Sequence, residues 1–187
     1  MTSRLGAGRE EWDAEPVTSV TGPRRLLLLR HAKAEHPDVP DIQRPLALVG
    51  RKQSGKVGRA LAAEDLVPDL VLCSSSVRTR QTWDLVRSSL GAEPEVRHLD
   101  DLYYAGSSAL VELVRAVPAE ARTVLVVGHE PTMSQAAVLL AGPDSDPATL
   151  ERVRVGVPTA SWSLLEVGPW DGLAAGTAAL RRLAVPQ

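Results

Sequence analysis

From residue 24 onward the chain alternates short, wholly apolar runs with longer stretches whose apolar residues recur at helical spacing. The runs Arg25–Leu29, "PDLVLCS" and "RTVLVVGH" have the continuous apolar pattern of strands covered on both faces, and "EVRHL" is a weaker strand of the same kind. Between them, "LALVGRKQSGKVGRALAAEDL" puts Leu48, Val57, Leu61 and Leu66 at roughly helical spacing. "VRTRQTWDLVRSSLG" predicts a helix stopped by Gly91, and "SSALVELVRAVP" one capped by Ser107 or Ser108 with Pro118 beyond its end. "TMSQAAVLLAG" is a further helix. Residues 31–45 and 142–158 are predicted to be loops, and "ASWSLLEV" and "TAALRRLAV" a final antiparallel pair of strands. Residues 1–23 have no period and are predicted to be a flexible tail. Strands alternating with helices imply an α/β fold. The expectation is a single domain over residues 24–187, a three-layer α/β/α sandwich with a mostly parallel central sheet.

Composition narrows the function classes. A hydrophobic fraction of 44% and a charged fraction of 24% are those of a soluble globular chain, and no apolar run is long enough to span a bilayer. The N-terminal residues lack the apolar core of a signal peptide. With one cysteine no intrachain disulfide can form, so a cytoplasmic location is expected. A formal net charge of −2 argues against a general nucleic-acid binder, and neither nucleic acid nor membrane is expected as a partner.

The candidate chemistry follows from the topology. In open α/β sheets ligands gather beyond the carboxyl ends of the strands. Arg30–His31 ends the first apolar run, Ser74–Arg78 follows the second, and Gly128–His129 ends "RTVLVVGH". Three polar clusters should therefore meet at one sheet edge. Arginine forks match phosphate oxygens, a neutral imidazole can carry a phosphoryl group, and a protonated second imidazole can hold developing negative charge. Helices starting after residues 76 and 131 would add backbone donors. A metal hydrolase built on His31, His129 and Asp41 is the less favoured reading, because two arginines would repel a divalent cation. No metal and no cofactor is expected.

"LLLLRHAKAE", "SSSVRTRQTW" and "VLVVGHEPTMS" resemble the three signature segments of the histidine phosphatase (phosphoglycerate mutase-like) superfamily. "RHAKAE" and "DIQRPLALVG" resemble its SixA-like phosphohistidine phosphatase branch, and the likeness runs over about residues 25 to 185. The resemblance implies that His31 is a nucleophile that becomes phosphorylated, and that Arg30, Arg78 and His129 bind the phosphoryl oxygens. Asp41 would be the carboxylate near the leaving group. Arg44 and Arg80 each have the option of joining the anion site, Arg44 as a substrate-binding residue. The implied substrate is a phosphorylated protein, phosphohistidine included, or a small phosphorylated metabolite. A weakly catalytic phosphate- or phosphoprotein-binding module is the alternative.

The sequence departs from the family pattern in two places. "SSS" stands where Ser-Pro is usual, and Asp100 and Asp101 stand where larger members carry a glutamate as general acid. His36 and His98 are expected to have no chemical role, and Cys73 and Trp83, Trp162 and Trp170 to be packing residues. "GRKQSGKV" mimics a P-loop, but Val57 replaces the hydroxyl that would face magnesium and the segment lies within a helical pattern.

Overall fold

The computed structural model describes residues 22–186. The tail expected over residues 1–23 lies outside the described residues, apart from its last two. Six strands, β1 (Arg24–Arg30), β2 (Leu70–Ser74), β3 (Glu95–Leu99), β4 (Thr123–Gly128), β5 (Trp162–Val167) and β6 (Ala179–Ala184), form one sheet ordered β3-β2-β4-β1-β5-β6. Strands β1 to β4 run parallel, and β5 is antiparallel to both β1 and β6. The helices are α1 (Leu48–Ala63), α2 (Val77–Leu90), α3 (Asp101–Tyr104), α4 (Ser107–Arg115), α5 (Thr132–Leu140) and α6 (Pro147–Arg154).

The apolar runs are continuous because both faces of the sheet are covered. Leu26, Leu28, Leu70, Leu72, Val124 and Val126 join one core with residues of α4, α5 and α6. Their neighbours in sequence, Leu27, Leu29, Val71, Cys73, Leu125 and Val127, join a second core with α1 and α2. The strand's period of two thus divides each run between two helical layers. Trp83, Trp162 and Trp170 are buried, as expected of packing residues.

Three local expectations are corrected. Leu48 is 69% exposed and Leu66 lies beyond the end of α1; the buried stripe is Gly50, Ser54, Val57, Gly58 and Leu61. Close packing explains the small residues. A Cβ on Gly58 would stand 2.3 Å from the Val86 carbonyl oxygen of α2, and one on Gly50 would stand 2.0 Å from that of Lys33. The P-loop look-alike is therefore a helix surface that meets backbone. Residues 147–154, expected as loop, form α6, where Asp146 accepts from the Thr149 N–H at 2.7 Å and Pro147 opens the helix. The cap position of α4 is Gly106, with no side-chain cap, rather than Ser107 or Ser108. Gly91 does stop α2, at φ +73°. Among the described residues no helix is long and apolar enough to cross a membrane.

Candidate active site

The parallel ladder places the first two polar clusters. Arg30 is registered against Gly128, and the His31 N–H extends the ladder by donating to the Gly128 carbonyl at 3.0 Å. His31 and His129 are thereby fixed side by side, with ring centroids 5.3 Å apart. On the far side of β4, β2 ends at Ser74, whose hydroxyl lies 2.8 Å from His129 Nε2. Ser76 caps α2 through the Thr79 N–H, which sets Arg78 in the first turn facing the same edge. The three clusters meet there, as the topology required. They line a cavity of about 260 Å³ with Arg44, Glu130, Lys33, His36 and Thr159 around them.

Both imidazoles are neutral near pH 7. His31 Nδ1 lies 2.7 Å from the Ala32 carbonyl. A carbonyl only accepts, so Nδ1 carries the proton and Nε2 keeps a free lone pair. Burial, assisted by the charges of Arg78, Arg30 and Arg44, lowers the His31 pKa to about 4, against the opposing effect of the Ala32 bond. Burial and then the neighbouring His31 and Arg78 bring His129 to about 3. Arg78 Nη2 stands 3.3 Å from His129 Nδ1 and can only donate, so Nδ1 accepts and Nε2–H donates to Ser74.

The arginines differ in what they hold. The Arg78 side chain is 7% exposed; Nη1 donates to the Asp41 carbonyl at 2.6 Å and Nη2 to Asp41 Oδ2 at 2.8 Å. Arg30 Nη1 donates to the Val157 carbonyl at 2.7 Å. Nε of both arginines is buried without a partner among the described residues. Arg44 is spent on its own loop: Nε on the Glu35 carbonyl at 2.9 Å, Nη1 on Asp41 Oδ1 at 2.8 Å, and Nη2 on His36 Nε2 at 3.1 Å. The Tyr103 hydroxyl donates to Asp41 Oδ2 at 2.7 Å. That bond, then those from Arg44 and Arg78, holds the Asp41 carboxyl well below the usual carboxylate range, and the same bond raises Tyr103.

His31, Arg30, Arg78, His129 and Arg44 thus all line the cavity, and Asp41 stands on two of its arginines. Arg80, Asp100 and Asp101 are exposed and do not line it. His98 is exposed on β3, whereas His36, expected to be idle, lines the cavity and orients Arg44. The Cys73 thiol is buried and pushed up to about 12 by that burial, the state of a packing residue. Sequence reasoning missed Glu130 and Tyr103. Glu130 directly follows His129, so its place on the edge was available; nothing local signals that Tyr103 reaches Asp41 across 62 residues. The expected backbone donors at α2 and α5 are partly taken, Thr79 N–H by Ser76 and Ser134 N–H by Glu130. Among the described residues no three His, Cys, Asp or Glu side chains gather as a metal site.

Residues 26–106 match the Histidine phosphatase superfamily (branch 1). The Mycobacterium tuberculosis protein Rv1276c is 38% identical over 162 residues, 85% of this chain and 100% of that one. The structure of the candidate phosphohistidine phosphatase SixA of Nakamurella multipartitia is 35% identical with a TM-score of 0.78, over 88% of this chain and 97% of that one. Its counterpart from Agrobacterium tumefaciens is 27% identical with a TM-score of 0.73, over 89% and 100%. Sequence identity along nearly the whole domain and a shared fold agree with the edge cluster of two histidines and two arginines: the chain belongs to the histidine phosphatase superfamily, in its SixA-like branch.

Proposed function

We propose that the cavity hydrolyses a phosphoramidate or an activated phosphomonoester, protein phosphohistidine foremost, through a phosphoryl group carried on His31. The observation that carries this reading is the state of His31. It is neutral, with Nδ1 anchored on the Ala32 carbonyl and Nε2 free beside two arginines. The Nε2 lone pair forms the N–P bond while the bond from phosphorus to the leaving nitrogen or oxygen breaks, and the leaving group keeps that electron pair. Water then attacks phosphorus, the N–P bond breaks, its pair returns to Nε2, and phosphate departs. Arg30 and Arg78 hold the equatorial oxygens throughout. His129, in contact with Arg78, supplies a further donor once an arriving dianion draws a proton onto Nδ1. No step calls for a metal ion or cofactor, and the cations lining the cavity would oppose one.

Asp41 bears on the substrate class. As a carboxylate held ionised by three donors it is a poor source of a proton for a departing alkoxide. A phosphohistidine or acyl phosphate leaves with less help, and the two SixA candidates of similar fold point to the same class. Incubation with a 32P-labelled phosphohistidine protein beside a panel of small phosphates tests the proposal. The expected result is faster turnover of the phosphoramidate and an acid-labile, base-stable label on His31, absent in His31→Ala. Label on another residue overturns the mechanism. Tight binding of phosphate without turnover of any substrate establishes the binding module instead.

A further inference from the structure

Among the described residues Glu130 is the one carboxylate lining a cavity in which cations and imidazoles predominate, and the phosphoryl chemistry above gives it no task. An anion placed there opposes a phosphoryl dianion unless its charge is used by protein groups, and both of its oxygens are in fact engaged. Oε1 accepts the Val157 N–H at 3.0 Å, and Oε2 accepts the Ser134 N–H of the first turn of α5 at 3.3 Å. Val157 is also the residue whose carbonyl accepts Arg30 Nη1 at 2.7 Å. One buried residue is therefore gripped from both sides, its N–H by Glu130 and its C=O by Arg30. The preceding residue is built for this approach. Gly156 sits at φ +99°, and a Cβ there would stand 3.2 Å from Glu130 Oε1.

We infer that Glu130 is a positioning residue for Arg30, acting through Val157: it pins the 155–160 segment, whose Val157 carbonyl holds the Arg30 guanidinium by Nη1 at the cavity wall. The segment has a second tie to the same strand end, since the Ala160 N–H is shared between the Arg30 and His31 carbonyls at 3.1 Å each. Loss of Glu130 would therefore loosen the side-chain end of Arg30 while its backbone stays fixed. The inference rests on the reading of Arg30 as an oxyanion ligand given above.

A double-mutant cycle on Glu130 and Arg30, read as the inhibition constant of inorganic phosphate near pH 7, tests it. Arg30→Ala is expected to weaken phosphate binding severely. Glu130→Ala should weaken it about tenfold, within the range of coupling between residues of one hydrogen-bond network. Added to Arg30→Ala, it should do almost nothing. Glu130→Gln, with one carbonyl oxygen for two N–H groups, should give a smaller loss with the same dependence on Arg30, and it carries the test if the alanine variant does not fold. A Glu130 effect that persists in full without Arg30 overturns the inference and leaves a purely structural role. A Glu130→Gln loss confined to alkyl phosphates, with the phosphate inhibition constant unchanged, overturns it in favour of a proton donor. An Arg30→Ala variant that binds phosphate normally instead removes the reading of Arg30 itself, and the inference with it.

Discussion

Asp41 covers the fork of Arg78, taking Nη2 on its carboxylate at 2.8 Å and Nη1 on its backbone carbonyl at 2.6 Å. The two side chains are unequal partners: Arg78 is 7% exposed and Asp41 51% exposed. A nearly buried guanidinium costs free energy unless its charge is matched, and an exposed carboxylate is the group that can swing away. The pair therefore keeps Arg78 charged and aimed when no substrate is present, and a phosphoryl dianion must compete with Asp41 for the same donors.

Asp41→Asn should accordingly act on geometry rather than on proton supply. The amide has one oxygen for Tyr103, Arg44 and Arg78, so kcat/KM should fall for alkyl and aryl phosphates by similar factors. Measuring both substrates in the variant decides the point. A general acid contributes roughly 100-fold or more for a basic leaving group, so a divergence of that size would restore Asp41 as the proton donor.

Arg78→Ala should lower kcat/KM by roughly 100-fold or more, the usual loss when one preorganised charged donor is removed from a transition state. Arg78→Lys should recover little, because a point charge cannot span Asp41, His129 and an oxyanion as the fork does. Near-normal kinetics in the lysine variant would place Arg78 outside the chemistry.

How far the site was legible in the sequence depends on the range of each interaction. Arg30, His31, Arg78 and His129 could be placed because each ends a strand or opens a helix, and parallel topology brings those ends together. Glu130 and His36 lie on the same edge, but their importance rests on side-chain contacts with Val157 and Arg44 that no periodicity encodes. Tyr103 reaches Asp41 from α3, a four-residue helix too short to leave a hydrophobic pattern. The buried face of α1 is only partly legible, for a different reason. Val57 and Leu61 do lie on it, but it also carries Gly50, Ser54 and Gly58, and the two glycines answer to close backbone approach rather than to hydrophobicity.

That packing makes a separate prediction about stability and its coupling to the site. Gly58→Ala drives a Cβ toward the backbone of α2 and should destabilise the domain by about 1–3 kcal/mol, the usual cost of overpacking. Kinetics at low temperature should change little. Gly50→Ala meets the Lys33 carbonyl, two residues from His31, and should lower kcat/KM as well as Tm. Denaturant melts beside initial rates separate the two; equal loss of activity in both variants would contradict the coupling.

The pH dependence tests the state of the histidine pair. Protonation removes the Nε2 lone pair, so the acid limb of kcat/KM should follow the His31 pKa of the free protein, lowered to about 4, and not its ordinary value of 6.5. A phosphomonoester has its own second ionisation near pH 6, so the profile is corrected for the dianion fraction, with ~6 taken for that pKa. The corrected rate should stay level from pH 7 down to about 5. Stability should move differently. From pH 6.5 down to about 4 for His31 and about 3 for His129, the unfolded chain binds protons that the native cavity refuses, so stability falls as pH falls through that window and levels off above it. Asp41, depressed in the native state, adds its own loss only below its ordinary 3.8. His31→Ala should therefore lessen the decline between pH 6.5 and 4, leaving the share of His129, although it abolishes turnover. Saturating phosphate should flatten it too, because a bound dianion favours the protonated imidazoles. A corrected activity limb near 6.5, with no change of stability across the same window, would mean that the cavity does not hold His31 neutral and that the imidazole titrates at its ordinary value.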